Sequence, residues 1–246
     1  MQHILITGGN SGVGKATAIA LAKNGARIII ASRNKEKANQ AVIEIKEESK
    51  NEEVYSLPCD LASLDSVRKC VQAYKEQFGR LDVLINNAGL VTDKLQFTQD
   101  GFELQIGVNH LGHFLLTTQL IDLLKKADEA RIISVSSNAH LGGKIDFDTF
   151  EGEEGSKKYS GPKAYRQSKL ANVLFTKELA KRYPSITCHS LHPGVVRTEI
   201  AGKNGNGLLW RVVWKLSSPF MLTPANGAKT SVYLATSPEV LKTNGR

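Results

Sequence analysis

With 246 residues, 41% of them apolar and 23% charged, the chain can bury one continuous core, and its composition excludes a disordered or fibrous protein. Its formal net charge of +8 suits an anionic ligand or surface. The basic residues are scattered and no aromatic-and-basic motif accompanies them, so a nucleic-acid partner is not expected.

Short β-branched apolar runs at 4–6, 28–30, 54–57, 83–85, 132–135 and 187–191 predict strands. Between and after them, stretches of helical period predict helices over 13–24, 35–50, 64–78, 102–126, 164–183 and 224–235. Regular alternation of the two predicts an α/β fold: a single Rossmann-type, doubly wound parallel sheet with helices on both faces. No repeat or linker divides residues 1–246, so one domain is expected. Two stretches break the rhythm. One, 140–162, is rich in glycine and charge; the other, 203–219, carries the apolar cluster Leu208, Leu209, Trp210, Val212, Val213 and Trp214. Loops added to a regular scaffold usually set specificity. No apolar run reaches the ~18 residues of a membrane span. The first apolar segment follows Met1 so closely that no leader or anchor is expected, which predicts a cytosolic protein. Cys59, Cys70 and Cys188 are odd in number and widely spaced, which suggests reduced thiols rather than disulfides or zinc ligands.

The first strand runs into Thr7-Gly8-Gly9-Asn10-Ser11-Gly12-Val13-Gly14 and then a helix. Strand, glycine turn and helix in that order form a phosphate site. Glycines admit positive φ and close backbone approach, while the unpaired N–H groups and positive dipole end of the helix attract the anion. Gly8, Asn10, Ser11, Gly12, Val13 and Gly14 are therefore candidate dinucleotide contacts. The second strand ends Ile30-Ala31-Ser32-Arg33, without the carboxylate that would hold a ribose 2′-hydroxyl. Arg33 can instead pair bidentately with a 2′-phosphate and Ser32 can add a hydroxyl, so NADP(H) is expected over NAD(H).

Asp60-Leu61 after the third strand and Asn86-Asn87-Ala88-Gly89 after the fourth complete an ordered series that resembles the short-chain dehydrogenase/reductase family from about residue 3 to 199. The resemblance implies an adenine contact for Asp60 and Leu61, and cofactor contacts for Asn87, Ala88 and Gly89. It also implies a catalytic asparagine at Asn109, supporting a water-linked proton relay beside a lysine. His110 and His113, three apart, could in principle share a metal, but no third ligand is placed, so no metal is expected.

Ser136 and Ser137 end the fifth strand, at the edge where open α/β sheets present ligand groups. The resemblance selects Ser137 as the catalytic serine. Two Y-x-x-x-K spacings follow, Tyr159/Lys163 and Tyr165/Lys169. Gly161 and Pro162 interrupt the first, whereas the second opens a long periodic helix that sets both groups on one face. There the ammonium should bring the phenol's pKa down from its ordinary ~10. The resemblance makes Tyr165 the general acid/base and lets Lys169 also hold the nicotinamide ribose.

Pro193-Gly194-Val195-Val196-Arg197-Thr198 resembles the family's element over the nicotinamide, which assigns Pro193, Gly194, Val196 and Thr198 to the cofactor. The long interval from Ser137 to Tyr165, with Ser-Ser-Asn-Ala-His and Ser-Lys-Leu-Ala-Asn, resembles the retinol dehydrogenase and WW-domain oxidoreductase branch. That branch handles retinoids, steroids and lipid aldehydes. The apolar stretch with Trp210, Trp214, Phe220 and Met221 falls where the family has its substrate lid. Three readings of it stand open: a lipophilic substrate wall, simple packing on the domain, or peripheral membrane contact through 208–222 with Arg211 and Lys215. By resemblance, a homodimer through the Phe102 and Tyr165 helices is expected, and the family usually runs into a seventh strand where Thr243–Arg246 stand, so that part of an edge strand is expected to be missing. An alcohol–carbonyl oxidoreductase acting on a small molecule is the leading expectation, with a non-catalytic NADP(H)-sensing or scaffold protein as its alternative.

Overall fold

Alternation along β1 (His3–Thr7) sends Ile4 and Ile6 to one side of a sheet and Leu5 to the other, and all three are fully buried. The same two-sided burial recurs in β2 (Arg27–Ser32), β4 (Val83–Asn86) and β5 (Arg131–Val135), because only a parallel sheet covered on both faces hides every residue of a strand. The computed structural model describes residues 1–151, 159–196 and 221–246. With β3 (Val54–Pro58) and β6 (Thr187–Leu191) the strands form one parallel sheet in the order β3-β2-β1-β4-β5-β6. Strand order reverses between β1 and β4, so a crevice opens beyond their carboxyl ends, where open α/β sheets take ligands.

Helices α1 (Gly12–Lys23) and α2 (Lys35–Ser49) cover the face of Ile4, Ile6, Ile28 and Ile30. The opposite face, built on Leu5, Ile29, Leu84 and Ile132, is covered by α3 (Leu64–Phe78) and by the helices that follow β4. Ser63 caps α3 from its side chain and Gly79 ends it in the left-handed region, a start and stop the sequence signals directly.

The expected helix over 102–126 is not one helix. A short α4 (Leu104–Ile106) passes through a π-helical turn, Gly107–Leu111, into α5 (Gly112–Leu124). Hydrophobic period cannot register one extra residue in a turn, and the glycines bracketing it were its only mark. α6 (Gly161–Arg182) begins three residues before the expected start, with Pro162 in its first turn where its missing N–H costs nothing. α7 (Pro224–Thr236) returns to the first face, Ala235 meeting the β5–β6 side. Beyond it, Gly245 and Arg246 hydrogen-bond to Cys188 and Ser190 of β6. Among the described residues no helix is long and apolar enough to cross a membrane.

Candidate active site

The glycine turn closes over the end of β4. Gly8 lies at φ +66° and Gly12 at +55°, conformations that favour glycine. A side-chain carbon at Gly14 would collide with the Gly8 carbonyl and the Asn87 amide, so this residue can only be glycine. Thr7, quoted in the motif but not singled out from sequence, fastens the two turns together. Its hydroxyl accepts the backbone N–H groups of Asn87 (2.9 Å) and Ala88 (3.0 Å), and the Asn87 side-chain amide donates to the Thr7 carbonyl (2.8 Å).

At the mouth of this cradle Ser11 is the exposed N-cap of α1. Its side chain makes no capping bond and the first helical turn carries no acid. The first-turn amides with the positive end of the helix dipole therefore fit a pyrophosphate. Ser32 is buried at the end of β2 with its hydroxyl near the Asn34 carbonyl (3.4 Å). Arg33 beside it is exposed and forms no ion pair among the described residues, whereas Lys15 of α1 is paired with Glu44 of α2. Asp60 accepts from Ala62 N–H (3.0 Å), and Leu61 is buried against the start of α5.

A polar cluster is assembled by α6, the π-helical turn and the end of β5. Lys169 is buried one helical turn after Tyr165, its Nζ 5.6 Å from the Tyr165 ring centre and donating to the Val135 carbonyl (3.1 Å). Ser137 Oγ accepts from the Ala139 N–H (3.2 Å) and is the hydroxyl that favours ionisation of the Tyr165 phenol, while Ser136 is spent on the Lys169 carbonyl (2.7 Å) inside the protein. That difference separates two serines the sequence left adjacent. Asn109, wholly buried on the π-helical turn, accepts from Leu90 N–H (2.8 Å) and donates to the Leu90 carbonyl (3.0 Å) and Ser168 Oγ (3.0 Å). Gly89 stands between them: a side-chain carbon there would lie 3.3 Å from Asn109 Oδ1 and 3.4 Å from Lys169 Nζ. The four expected catalytic residues and the Asn87–Gly89 turn therefore share one cleft.

One electrostatic expectation needs correcting. Burial pushes the Tyr165 phenol up, only partly offset by the Ser137 hydrogen bond, rather than the lysine drawing it down. Lys169 sits against the ring and not the hydroxyl, so its charge acts on the aromatic face. Its own pKa falls to about 8 because the ammonium is desolvated.

Tyr159 is elsewhere. Its hydroxyl donates to Glu103 Oε1 (2.9 Å) and accepts from Gln105 Nε2 (2.9 Å), outside α6, and burial pushes its pKa up. His110 hydrogen-bonds Asn172 (3.1 Å), and no group of three or more potential metal ligands occurs among the described residues. Gly194 has φ +81°, and Val196 packs on Val13, which brings the end of the segment beside the glycine turn. Thr198 and Arg197, with 203–219 and most of 208–222, lie outside the described residues.

An α/β protein with a glycine-turn crevice and a Ser-Tyr-Lys-Asn cluster at its lip is the class these features define. Residues 2–208 match the family model for short chain dehydrogenase. Human retinol dehydrogenase 13 is 43% identical over 254 residues, covering 100% of this chain and 75% of the relative. Among solved structures, a 3-ketoacyl-(acyl-carrier-protein) reductase from Brucella melitensis complexed with NADH superposes with a TM-score of 0.75 at 26% identity, covering 99% of this chain and 94% of that one. The Pseudomonas aeruginosa RhlG/NADP active-site complex gives 0.77 at 26%, covering 99% and 92%. The chain belongs to the short-chain dehydrogenase family of oxidoreductases, and its relatives include the retinol dehydrogenases.

Proposed function

We propose that the chain is an NADP(H)-dependent oxidoreductase that interconverts an alcohol and a carbonyl on a lipophilic substrate such as a retinoid, a steroid or a lipid aldehyde. The observation that carries this reading is the cluster of Tyr165 with the buried Lys169 ammonium 5.6 Å from its ring centre, Asn109 bonded to Ser168 of the same helix, and Ser137 favouring ionisation of the phenol. When bound, the nicotinamide supplies or accepts the hydride. Ser137 holds the substrate oxygen, and Tyr165 gives that oxygen a proton in reduction or takes one in oxidation. Burial keeps the phenol in its acid form at neutral pH, which suits proton donation. Lys169, largely protonated at pH 7, stabilises the phenolate that follows and would bind the ribose. Asn109 keeps the Leu90 backbone and α6 in register around the lysine.

Gly8, Asn10, Ser11, Gly12, Val13 and Gly14 would hold the pyrophosphate; Asp60 and Leu61 the adenine; and Asn87, Ala88, Gly89, Pro193, Gly194, Val196 and Thr198 the nicotinamide side. NADP(H) preference rests on Arg33, exposed and free of ion pairs among the described residues while Lys15 is occupied. Lipophilic substrates are supported by the retinol dehydrogenase relatives and by Leu141 and Phe147. These are 80% and 76% exposed on the 3-10 turns Asn138–Gly142 and Phe147–Thr149 that follow Ser137. Cytosolic residence and a homodimer through α5 and α6 belong to the same proposal. Exposed Phe114 and Leu174 on those helices support the dimer, which sedimentation velocity would detect.

An NADPH-oxidation screen over short aldehydes, quinones, steroid ketones and all-trans-retinal tests the reading. Rates should rise with apolar size, and Arg33→Asp should lower the NADPH-over-NADH preference by about tenfold or more. A response flat in substrate size, or a cofactor preference indifferent to Arg33→Asp, contradicts it.

A further inference from the structure

His113 lies on α5, 2% exposed, and no step above uses it. Its two ring nitrogens face two different parts of the site. Nε2 is 2.8 Å from Thr7 Oγ1, and Nδ1 is 3.1 Å from the main-chain carbonyl of Asn109.

Counting donors assigns the proton. A carbonyl only accepts, so Nδ1 carries the hydrogen. Thr7 Oγ1 already accepts from the N–H groups of Asn87 and Ala88, which uses both lone pairs, and its own hydrogen must therefore go outward. Nε2 at 2.8 Å is the nearer acceptor; the Ile85 carbonyl stands at 3.5 Å. The ring is a neutral, single-tautomer bridge. Burial, opposed by the Asn109 bond and aided by the charges of Lys169 and His110, holds its pKa at about 3, so the bridge persists at neutral pH.

We propose that His113 is a positioning residue: it ties the glycine and Asn87–Gly89 turns, through Thr7, to the π-helical turn that presents Asn109. Dinucleotide cradle and proton-handling cluster are thereby held as one body. The proposal rests on the catalytic reading of Asn109, Tyr165 and Lys169 given above. Asn109's side chain is fastened to Leu90 and Ser168, and His113 fastens its backbone. A π-helical turn holds one residue more than an α-helical turn, and relaxing it would swing the flanking residues by about 100°. Without the imidazole, that relaxation loses one of its opponents, the one that holds the Asn109 backbone.

Two measurements test this. In wild-type protein with nitrogen-15-labelled histidine, the resonance that disappears in His113→Phe should be an Nδ1–H tautomer that does not titrate between pH 5 and 8. An Nε2–H tautomer, or a titration in that range, overturns the proposal whether or not the protein turns over retinal. In parallel, NADPH binding, and kcat with NADPH and all-trans-retinal, are measured for His113→Phe alone and combined with Asn109→Ala. The single change should weaken NADPH binding by about tenfold, the worth of one buried hydrogen bond, and lower kcat by about tenfold or more. In the Asn109→Ala background it should lower kcat no further while still lowering the melting temperature. Unchanged NADPH affinity, or a full additional kcat loss in that background, overturns the proposal. A wild-type protein inactive on retinal would instead contradict the substrate assignment, and the tautomer and NADPH-binding measurements would still decide the role of His113.

Discussion

Tyr159 and Tyr165 stand six residues apart, each followed four residues later by a lysine, yet they inhabit opposite environments. Tyr159 precedes α6 and is clamped by Glu103, a buried carboxylate whose other bonds cap α4, and by Gln105, which also holds the Thr92 and Gly161 carbonyls. Tyr165 is on α6 with its hydroxyl toward Ser137 and its ring against an ammonium. Both phenols are raised by burial and each has one contact that favours its anion, Gln105 for Tyr159 and Ser137 for Tyr165, but at Tyr159 the Glu103 carboxylate opposes ionisation. A spacing pattern thus becomes chemistry only when the helix carries both members and the facing elements supply polarity of the right sign. The first pair is a fastener for the start of the second pair's helix.

Several substitutions would break or sharpen this contrast. Lys169→Met should lower kcat by roughly 10²–10⁴. It should also remove a pH effect: between about 8, where the folded lysine loses its proton, and its ordinary 10.5, the unfolded chain holds a proton the folded protein does not. Stability therefore rises with pH across that window and shows no such gain below it, and urea midpoints in Lys169→Met should lose that rise. Ser137→Ala should lower kcat by about 10² while NADPH affinity stays the same. Because Ser137 is the contact that lowers the phenol's pKa, an ultraviolet titration of Tyr165, read as the difference from Tyr165→Phe, should move to higher pH in Ser137→Ala. Tyr159→Phe should keep turnover and cost about 1–3 kcal/mol of stability in denaturant melts, since Glu103 and Gln105 lose a buried partner.

Much of this was legible in the sequence, for identifiable reasons. The four inner strands were visible because a two-sided parallel sheet leaves unbroken apolar runs, as in Ile28, Ile29 and Ile30, whereas the edge strands β3 and β6 are only partly buried and left a weaker signal. Gly8 and Gly14 announced their turn because backbone geometry itself demands glycine there. Tyr165 was separable from Tyr159 because Gly161 and Pro162 mark a helix start. What stayed hidden depended on contacts distant in sequence: the π-helical turn at Asn109, the sign of the Tyr165 shift, the division of labour between Ser136 and Ser137, and the Thr7–His113 bond across 106 residues. Periodicity and propensity are local, and apart from the two glycines that bracket the π-helical turn none of these features leaves a local trace.

In the proposed reaction Tyr165 is the group that exchanges a proton with substrate oxygen. The most direct test of that role is NADPH oxidation with all-trans-retinal by Tyr165→Phe and Tyr159→Phe side by side, with NADPH affinity titrated in both. Tyr165→Phe should bind NADPH as the wild type does and lose turnover by about 10³-fold or more, while Tyr159→Phe remains active. An active Tyr165→Phe protein, or a Tyr159→Phe protein that folds and binds NADPH but is inert, would contradict the assignment.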